Sequence, residues 1–417
     1  MELSYWKSDE AWFVSDRPVP SLHPAGKPPA DAPLYWLFHR APDRSRATFC
    51  VSDPRQLTAE TESVRFLAPD RLGAPSCRIS QRLLNRIDAR SLQAVNAEHP
   101  RWGDALGLSR EVSGRRRIHL LAVGDVGGVL LTGLKLLGGE SISTIGICDL
   151  NERTVARWVA EMGQVSWPWN YDALPKVEAV SPEALFRCDV LIFAATKSIP
   201  PVDSGVQDVR MAQFAANRPI VEGYARRARE AGFRGLFLVL SDPVDPLCKA
   251  AYLASNQGPD GRWDGLGLLP EQIQGLGLGV MNARAAALAR EDPARRVFLD
   301  EGRCFGPHGQ GLVVANSLEH YDDALSRAMT QEVLEANLRI RELGFKPYVA
   351  PALSSGVFQL LLLLRGQWHY GSVCLGGVWF GCRNRFTASG LETEALAMPD
   401  ALFDRLLETE TALGAII

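Results

Sequence analysis

At 417 residues, with 46% apolar and 22% charged side chains, the chain has ordinary globular composition and is long enough for two or three packed cores. Its formal charge of −3 leaves no excess of Lys and Arg to neutralise phosphates, which speaks against nucleic acid as a partner. Arg115, Arg116 and Arg117 form the one tight basic run and read as a solvated lead-in to a strand.

The longest apolar stretch, "VFQLLLLL" at 357–364, is far too short to cross a bilayer. "MELSYWKSDE" at the start lacks the basic opening and continuous apolar run of a secretory signal. The 8 cysteines form no C-x-x-C pair and no His/Cys cluster of zinc spacing. These features predict a cytoplasmic protein with mostly buried free thiols, no membrane contact and no metal.

Residues 1–116 carry Pro and Gly clusters ("SDRPVPSLHPAGKPPADAP"), several aromatics ("LYWLFH") and one strand-like run, "ATFCVS". They show no alternation of strand and helix, and their aromatic content is that of a folded segment. The expectation is an added α+β extension of unassigned role.

From Arg117 the rhythm becomes regular. "IHLLAV" (118–123) leads through glycines to a helix ending near Leu137, and "ISTIGICD" (142–149) leads to the helix "NERTVARWVAEMG". "DVLIFAA" (189–195) and "GLFLVLS" (235–241) are two more apolar strands, separated by the helical "IVEGYARRAREAGF". Continuous apolar strands alternating with helices predict a doubly wound parallel sheet over 117–244, with ligands at the carboxyl ends of its strands. After Asp245 come a long amphipathic helix (322–345), the strand-like "WHYGSVCLGGVWFGCRNRFTASG" and a closing helix with Pro399 near its first turn. This predicts an α+β second domain over 245–417.

The first strand runs into "AVGDVGG". Gly124 and Gly127 supply the second and third glycine of G-x-G-x-x-G around Asp125 and Val126, while Ala122 stands in the first place. Alanine is small, so a slightly altered turn is expected, with the following helix start facing a pyrophosphate. Asp149 ends the second strand, where a carboxylate accepts ribose hydroxyls and repels the extra phosphate of NADP. The predicted cofactor is NAD.

"FGPHGQG" (305–311) sets a histidine among glycines, which permit φ > 0 and close approach of another molecule. By itself it reads first as an ordinary turn with an exposed histidine, and only second as a histidine presented to a ligand. The other histidines have no ligand spacing, and His119, within a strand, reads as core.

In order and spacing, "AVGDVGG", "ICDLNE", "DVLIFAATK", "SDPVD", "GLGLGVMNAR" and "GPHGQG" resemble the lactate/malate dehydrogenase family over about 117–415. The resemblance implies a Rossmann NAD-binding domain joined to the α+β substrate domain, and a homo-oligomer, dimer or tetramer. It implies hydride transfer to or from a small carboxylate, a 2-hydroxy or 2-oxo acid. His308 matches the acid–base, Arg284 the substrate-carboxylate clamp, and Arg210 the loop arginine that polarises the carbonyl. Ala195 and Thr196 would pass beneath the nicotinamide. Ile199 falls where the family sets substrate choice, which implies an apolar substrate side chain.

Two positions depart from the family. Its aspartate partner of the histidine is here Met281, and its asparagine in S-N-P-V-D is here Asp242. An ionised aspartate only accepts hydrogen bonds, where asparagine also donates. Three readings follow: Asp242 takes over as partner of His308; Asp242 accepts an N–H from an imine or amine, giving an imino-acid or specialised-metabolite reductase; or the chain is a silent NAD-binding homologue. Asp245 reads as a structural residue at the domain junction.

Overall fold

The computed structural model describes residues 3–8, 11–19, 21–29, 32–106, 114–197 and 209–417. Its first segment holds β1 (Ser4–Ser8), β2 (Ala11–Ser15), β3 (His23–Ala25), β4 (Leu34–Phe38), β5 (Thr48–Cys50), α1 (Gln81–Asp88), β6 (Gln93–Asn96) and α2 (Trp102–Ala105). The six strands form one mixed sheet in the order β3-β1-β2-β4-β6-β5, in which β2, β4 and β6 run parallel. The expected α+β character is present, although "ATFCVS" supplies only one short outer strand of it.

This sheet is packed into the rest of the molecule. One apolar core runs without a break from Val14 through Trp36 and Phe66 to Leu402 and Leu413. Tyr252 Oη donates to the Pro42 carbonyl (3.1 Å), the Val64 amide donates to Glu410 (3.0 Å), and Arg90 pairs with Glu392 (2.6 Å). At the seam, Arg46 is fully buried over the Phe49 ring (4.5 Å) with Nε 2.7 Å from Glu62. Arg40 lies over Phe38 (4.5 Å), and burial lowers its pKa to about 10 against the pull of Glu62.

The second segment begins with β7 (Arg116–Leu121), α3 (Asp125–Leu137), β8 (Ile142–Cys148), α4 (Glu152–Gly163), β9 (Lys176–Ala179), β10 (Val190–Phe193), α5 (Val209–Glu230), β11 (Leu236–Val239) and α6 (Val244–Ser255). It continues with β12 (Ile273–Gly275), α7 (Leu278–Glu291), α8 (Phe298–Glu301), β13 (Arg303–Phe305), β14 (Val313–Ala315) and α9 (Asp323–Glu342). A π-type helix, Pro351–Val357, leads into α10 (Phe358–Leu364), followed by β15 (His369–Leu375), β16 (Val378–Thr387), β17 (Gly390–Thr393) and α11 (Asp400–Gly414).

Strands β9-β8-β7-β10-β11-β12 are consecutive neighbours and all parallel. This is the doubly wound order expected of a dinucleotide fold. The sixth strand comes from beyond Asp245, because a parallel connection needs a crossover and α6 supplies it. Strands β15, β16 and β17 then extend the sheet antiparallel to nine strands.

The sequence starts the helix before β11 at Ile220, just after a proline. In the structure α5 spans 22 residues and continues through Pro219. The hydrogen bond forfeited by proline is outweighed by apolar packing, since Val221, Ala225 and Ala228 share a core with Leu247, Ala250 and Ala251 of α6. All 8 cysteines are unpaired and all but Cys188 are buried. His119 is buried, with Nδ1 2.7 Å from the Leu185 carbonyl, and burial lowers its pKa.

Candidate active site

The turn after β7 shows what the missing first glycine entails. Ala122 adopts φ 73°, a left-handed conformation that costs a residue with a Cβ roughly 1–2 kcal/mol. Helix α3 starts at Asp125 with Gly124 before it and no side chain capping it. A Cβ on Gly127 would collide with the Ala122 carbonyl, and one on Gly128 would stand 2.6 Å from the Trp158 ring. The glycines thus keep helix, turn and strand in close contact, with Val126 partly buried beside them.

Asp149 lies at the carboxyl end of β8, beside this turn. Its Oδ2 accepts the Val123 amide (2.9 Å) and its Oδ1 the Asn151 amide (3.0 Å), leaving lone pairs on both oxygens. Asp125 puts a carboxylate at the helix start, and Lys346 meets it with Nζ 3.1 Å from Oδ2.

At the end of β10, Ser241 Oγ donates to the Ala195 carbonyl (2.7 Å). Asn217, fully buried on α5, donates from Nδ2 to Thr196 Oγ1 (3.1 Å) and to the Asp242 carbonyl (2.7 Å), while its Oδ1 accepts the Lys197 amide (2.8 Å). One side chain therefore fixes Thr196 and Asp242 relative to each other.

The glycines around His308 have distinct tasks. Gly306, Gly309 and Gly311 have φ of 81°, 144° and 90°, all disfavoured for other residues. A Cβ on Gly309 would occupy the space of the Arg210 guanidinium, and one on Gly277 would lie 2.8 Å from His308 Cβ. The bare backbone is needed to bring an arginine against one side of the histidine and the start of α7 against another.

His308 Nδ1 lies 3.1 Å from Asp242 Oδ1, with side-chain exposures of 14% and 45%. Its Nε2 is buried and has no hydrogen-bond partner among the described residues. Arg210 donates from Nη2 to the His308 carbonyl oxygen. Arg284, half-buried on α7, donates to the Val333 carbonyl (3.2 Å) and touches Met281 Sδ (3.7 Å). Burial acts to raise the Asp242 pKa, but His308, Arg210 and Arg284 outweigh it and hold the carboxyl below its usual range. Burial lowers the Arg284 pKa, partly offset by Asp242.

Met281 is buried in apolar surroundings on α7, so the carboxylate that faces the imidazole comes from the loop after β11 instead. Burial raises Asp245 to about 6, opposed by Ser372 and by the backbone and charge of His308. Asp245, Asn217 and Lys346 had no assigned part in the site from sequence. Lys346 and Asp125 are 221 residues apart, and no local pattern marks such a pair. Ile199 lies outside the described residues. On the surface, Glu301, Glu319 and His320 come together as an exposed group, with His320 raised by its bond to Glu301.

The strand order, the glycine turn and the convergence of His308, Asp242, Arg210 and Arg284 at the carboxyl ends of the sheet define a dinucleotide-type α/β fold. Over about 72% of its length the chain has, more particularly, the fold of the lactate and malate dehydrogenases. A minor L-lactate dehydrogenase from Enterococcus mundtii matches with TM-score 0.58 at 16% identity, over 72% of this chain and 97% of its own. A malate dehydrogenase from Archaeoglobus fulgidus, in complex with NADH, matches with TM-score 0.58 at 16% identity, over 72% and 98%. A malate dehydrogenase from Plasmodium falciparum matches with TM-score 0.57 at 14% identity, over 72% and 96%. No protein-family model matches the chain, and no curated protein sequence does. No helix among the described residues is long and apolar enough to cross a membrane.

Proposed function

We propose that the protein is an NAD-dependent oxidoreductase of the lactate/malate dehydrogenase type, acting on a small 2-hydroxy or 2-oxo acid with an apolar side chain. The observation that carries this reading is the His308–Asp242 pair, flanked by two arginines at the carboxyl ends of the sheet. In this division, residues 117–244 hold the dinucleotide, 245–417 the substrate, and 1–116 are the added extension. The cytoplasm and a homo-oligomeric state belong to the same reading; exposed Trp167, Trp169 and Tyr171 support an apolar contact between copies.

The residues present fit the cofactor. Gly124, Asp125, Val126 and Gly127 form a turn in which Gly127 has no room for a side chain against Ala122, Asp149 offers carboxylate lone pairs, and Ala195 and Thr196 are held at the end of the neighbouring strand. NAD, when bound, supplies the hydride acceptor or donor. Arg284 binds the substrate carboxylate as a planar fork, and Arg210 offers its charge to the substrate carbonyl. His308 donates from Nδ1 to Asp242, which fixes the tautomer and leaves Nε2 to exchange the proton of the substrate oxygen. That Nε2 has no hydrogen-bond partner among the described residues supports that role.

One observation favours a second reading. Among the described residues Asp242 Oδ2 accepts no hydrogen bond, and the side chain is 45% exposed, so it can accept an N–H from an imine. The test is NADH binding by fluorescence, followed by NADH oxidation with a panel of 2-oxo acids, with and without ammonium. Turnover on 2-oxo acids alone supports the dehydrogenase. Turnover only with ammonium transfers the assignment to imine reduction, binding without turnover to an unusual substrate or a silent homologue, and no binding removes the nucleotide site.

A further inference from the structure

A cleft of about 630 Å³ opens at the amino-terminal ends of β7, β10 and β11, the end of the sheet opposite to the site described above. At about 3.3 Å per residue, the six residues of β7 put roughly 20 Å between the two. The volume is that of a small-molecule site. Arg116 and Arg117 reach the cleft from the start of β7, Arg187 from the turn before β10, and Arg234 from the turn before β11. The basic run that reads as a solvated lead-in thus contributes two of four arginines around one cavity.

The charges of Arg117, Arg187 and Arg234 are only partly compensated. Arg117 pairs with Glu178 (2.5 Å), but Glu178 also serves Lys176 (3.2 Å). Arg234 pairs with Asp104 (2.7 Å), but Asp104 also serves Arg101 (2.7 Å). Arg187 has no ion pair among the described residues. Asp189, the one acid in the lining, accepts the Arg117 amide through Oδ2 (2.8 Å), and its single charge offsets one of the four arginines.

The cleft also has an apolar part. Phe186 and Phe233 meet edge to face with ring centres 5.7 Å apart. Gly235 keeps the loop tight, since a Cβ there would stand 2.7 Å from the Phe233 ring and collide with the Asp189 carbonyl. Arginine forks match the oxygens of a phosphate or carboxylate, and phenyl rings take a flat apolar body against them.

We propose that this cleft binds a small organic oxyanion, a phosphate monoester or a carboxylate carried on a flat apolar ring. The site is separate from the nucleotide reading and stands without it.

The test is calorimetric titration of the full chain with phenyl phosphate, benzoate and inorganic phosphate. Phenyl phosphate or benzoate is expected to saturate with a Kd below about 1 mM, and inorganic phosphate to bind about tenfold more weakly or worse. The tighter of the two organic probes identifies the headgroup. Arg187→Ala weakens binding about tenfold, and Arg187→Lys by less, because a point charge replaces the fork. Arg262→Ala, at an exposed arginine outside the cleft, leaves binding unchanged. Since Arg187 has no ion pair to lose among the described residues, its variants are expected to keep the wild-type melting temperature, and they carry the test should Arg234→Ala not fold. No saturation by about 10 mM overturns the proposal. So does binding indifferent to Arg187→Ala, or equal binding of phosphate and phenyl phosphate.

Discussion

Carboxylates meet arginines in two regions of this molecule, with opposite results. At the carboxyl ends of the sheet Asp242 faces His308, Arg210 and Arg284, and its carboxyl is held low and stays ionised. At the seam with the six-stranded sheet, burial lifts Glu271 to about 7, opposed by the Thr48 amide, its own backbone and Arg46, and reinforced by Glu62. Arg46 is already committed to Glu62 at 2.7 Å, and one oxygen of Glu271 has no partner among the described residues. A carboxylate stays charged inside a protein when nearby cations and hydrogen-bond donors outweigh its desolvation and the acids around it. The site meets that condition with a partly open pair; the seam satisfies one acid at the expense of another.

The comparison can be broken first at the site. His308→Gln is expected to lower turnover by roughly 10²–10⁴ while NADH binding persists, measured by steady-state kinetics and fluorescence. At the seam, Glu62→Gln leaves Arg40 and Arg46 buried without their carboxylate and is expected to cost roughly 3–5 kcal/mol in urea unfolding. Asp242→Asn lowers turnover by about 10², and adding Met281→Asp restores part of the loss if an acid there can face the imidazole again. A double variant no better than the single one assigns Asp242 a contact with substrate as well.

A pH series sharpens the contrast. The folded pKa of Glu271 lies above its unfolded value, so its stabilisation is complete below about pH 4.5 and disappears as pH rises through about 7. Glu271→Gln removes that loss, so the variant's melting temperature gains on the wild type between pH 5 and about 8. A constant difference across that range would show that Glu271 does not titrate there. The smallest effect belongs to the turn: Ala122→Gly relieves the left-handed strain but loosens the unfolded chain, for a net gain of up to about 1 kcal/mol.

What could be read from the sequence was what lies close in the chain. Strand β7, its glycine turn and α3 form one continuous stretch, and Asp149 ends the next strand, so turn chemistry and spacing were enough. His308 announced itself by its glycines, although why each was needed depends on Arg210 and on Gly277 from other elements. Met281 could be seen as a missing partner, yet the replacement for it lies 66 residues from His308, and only the folded chain brings the two to 3.1 Å. Asn217 carries no motif, because a buried amide joining two loops looks like any helical polar residue. The first sheet was hidden by strands of 3–5 residues between prolines and glycines, too short for alternation to show.

The nine-stranded sheet ends in two edges, and neither is left as a template for a foreign strand. At β9 the edge is 4 residues long and carries Lys176 and Glu178, the latter tied to Arg117. At β17 the six-stranded sheet stands guard. Gly390, at φ 103°, would meet the Cys50 amide at 3.4 Å if it had a Cβ, and Arg90 pairs with Glu392 in the middle of the strand. Detaching the first hundred residues would bare the buried, unpaired edge of β17 together with the apolar core it shares with the first sheet, and aggregation through that surface would compete with refolding.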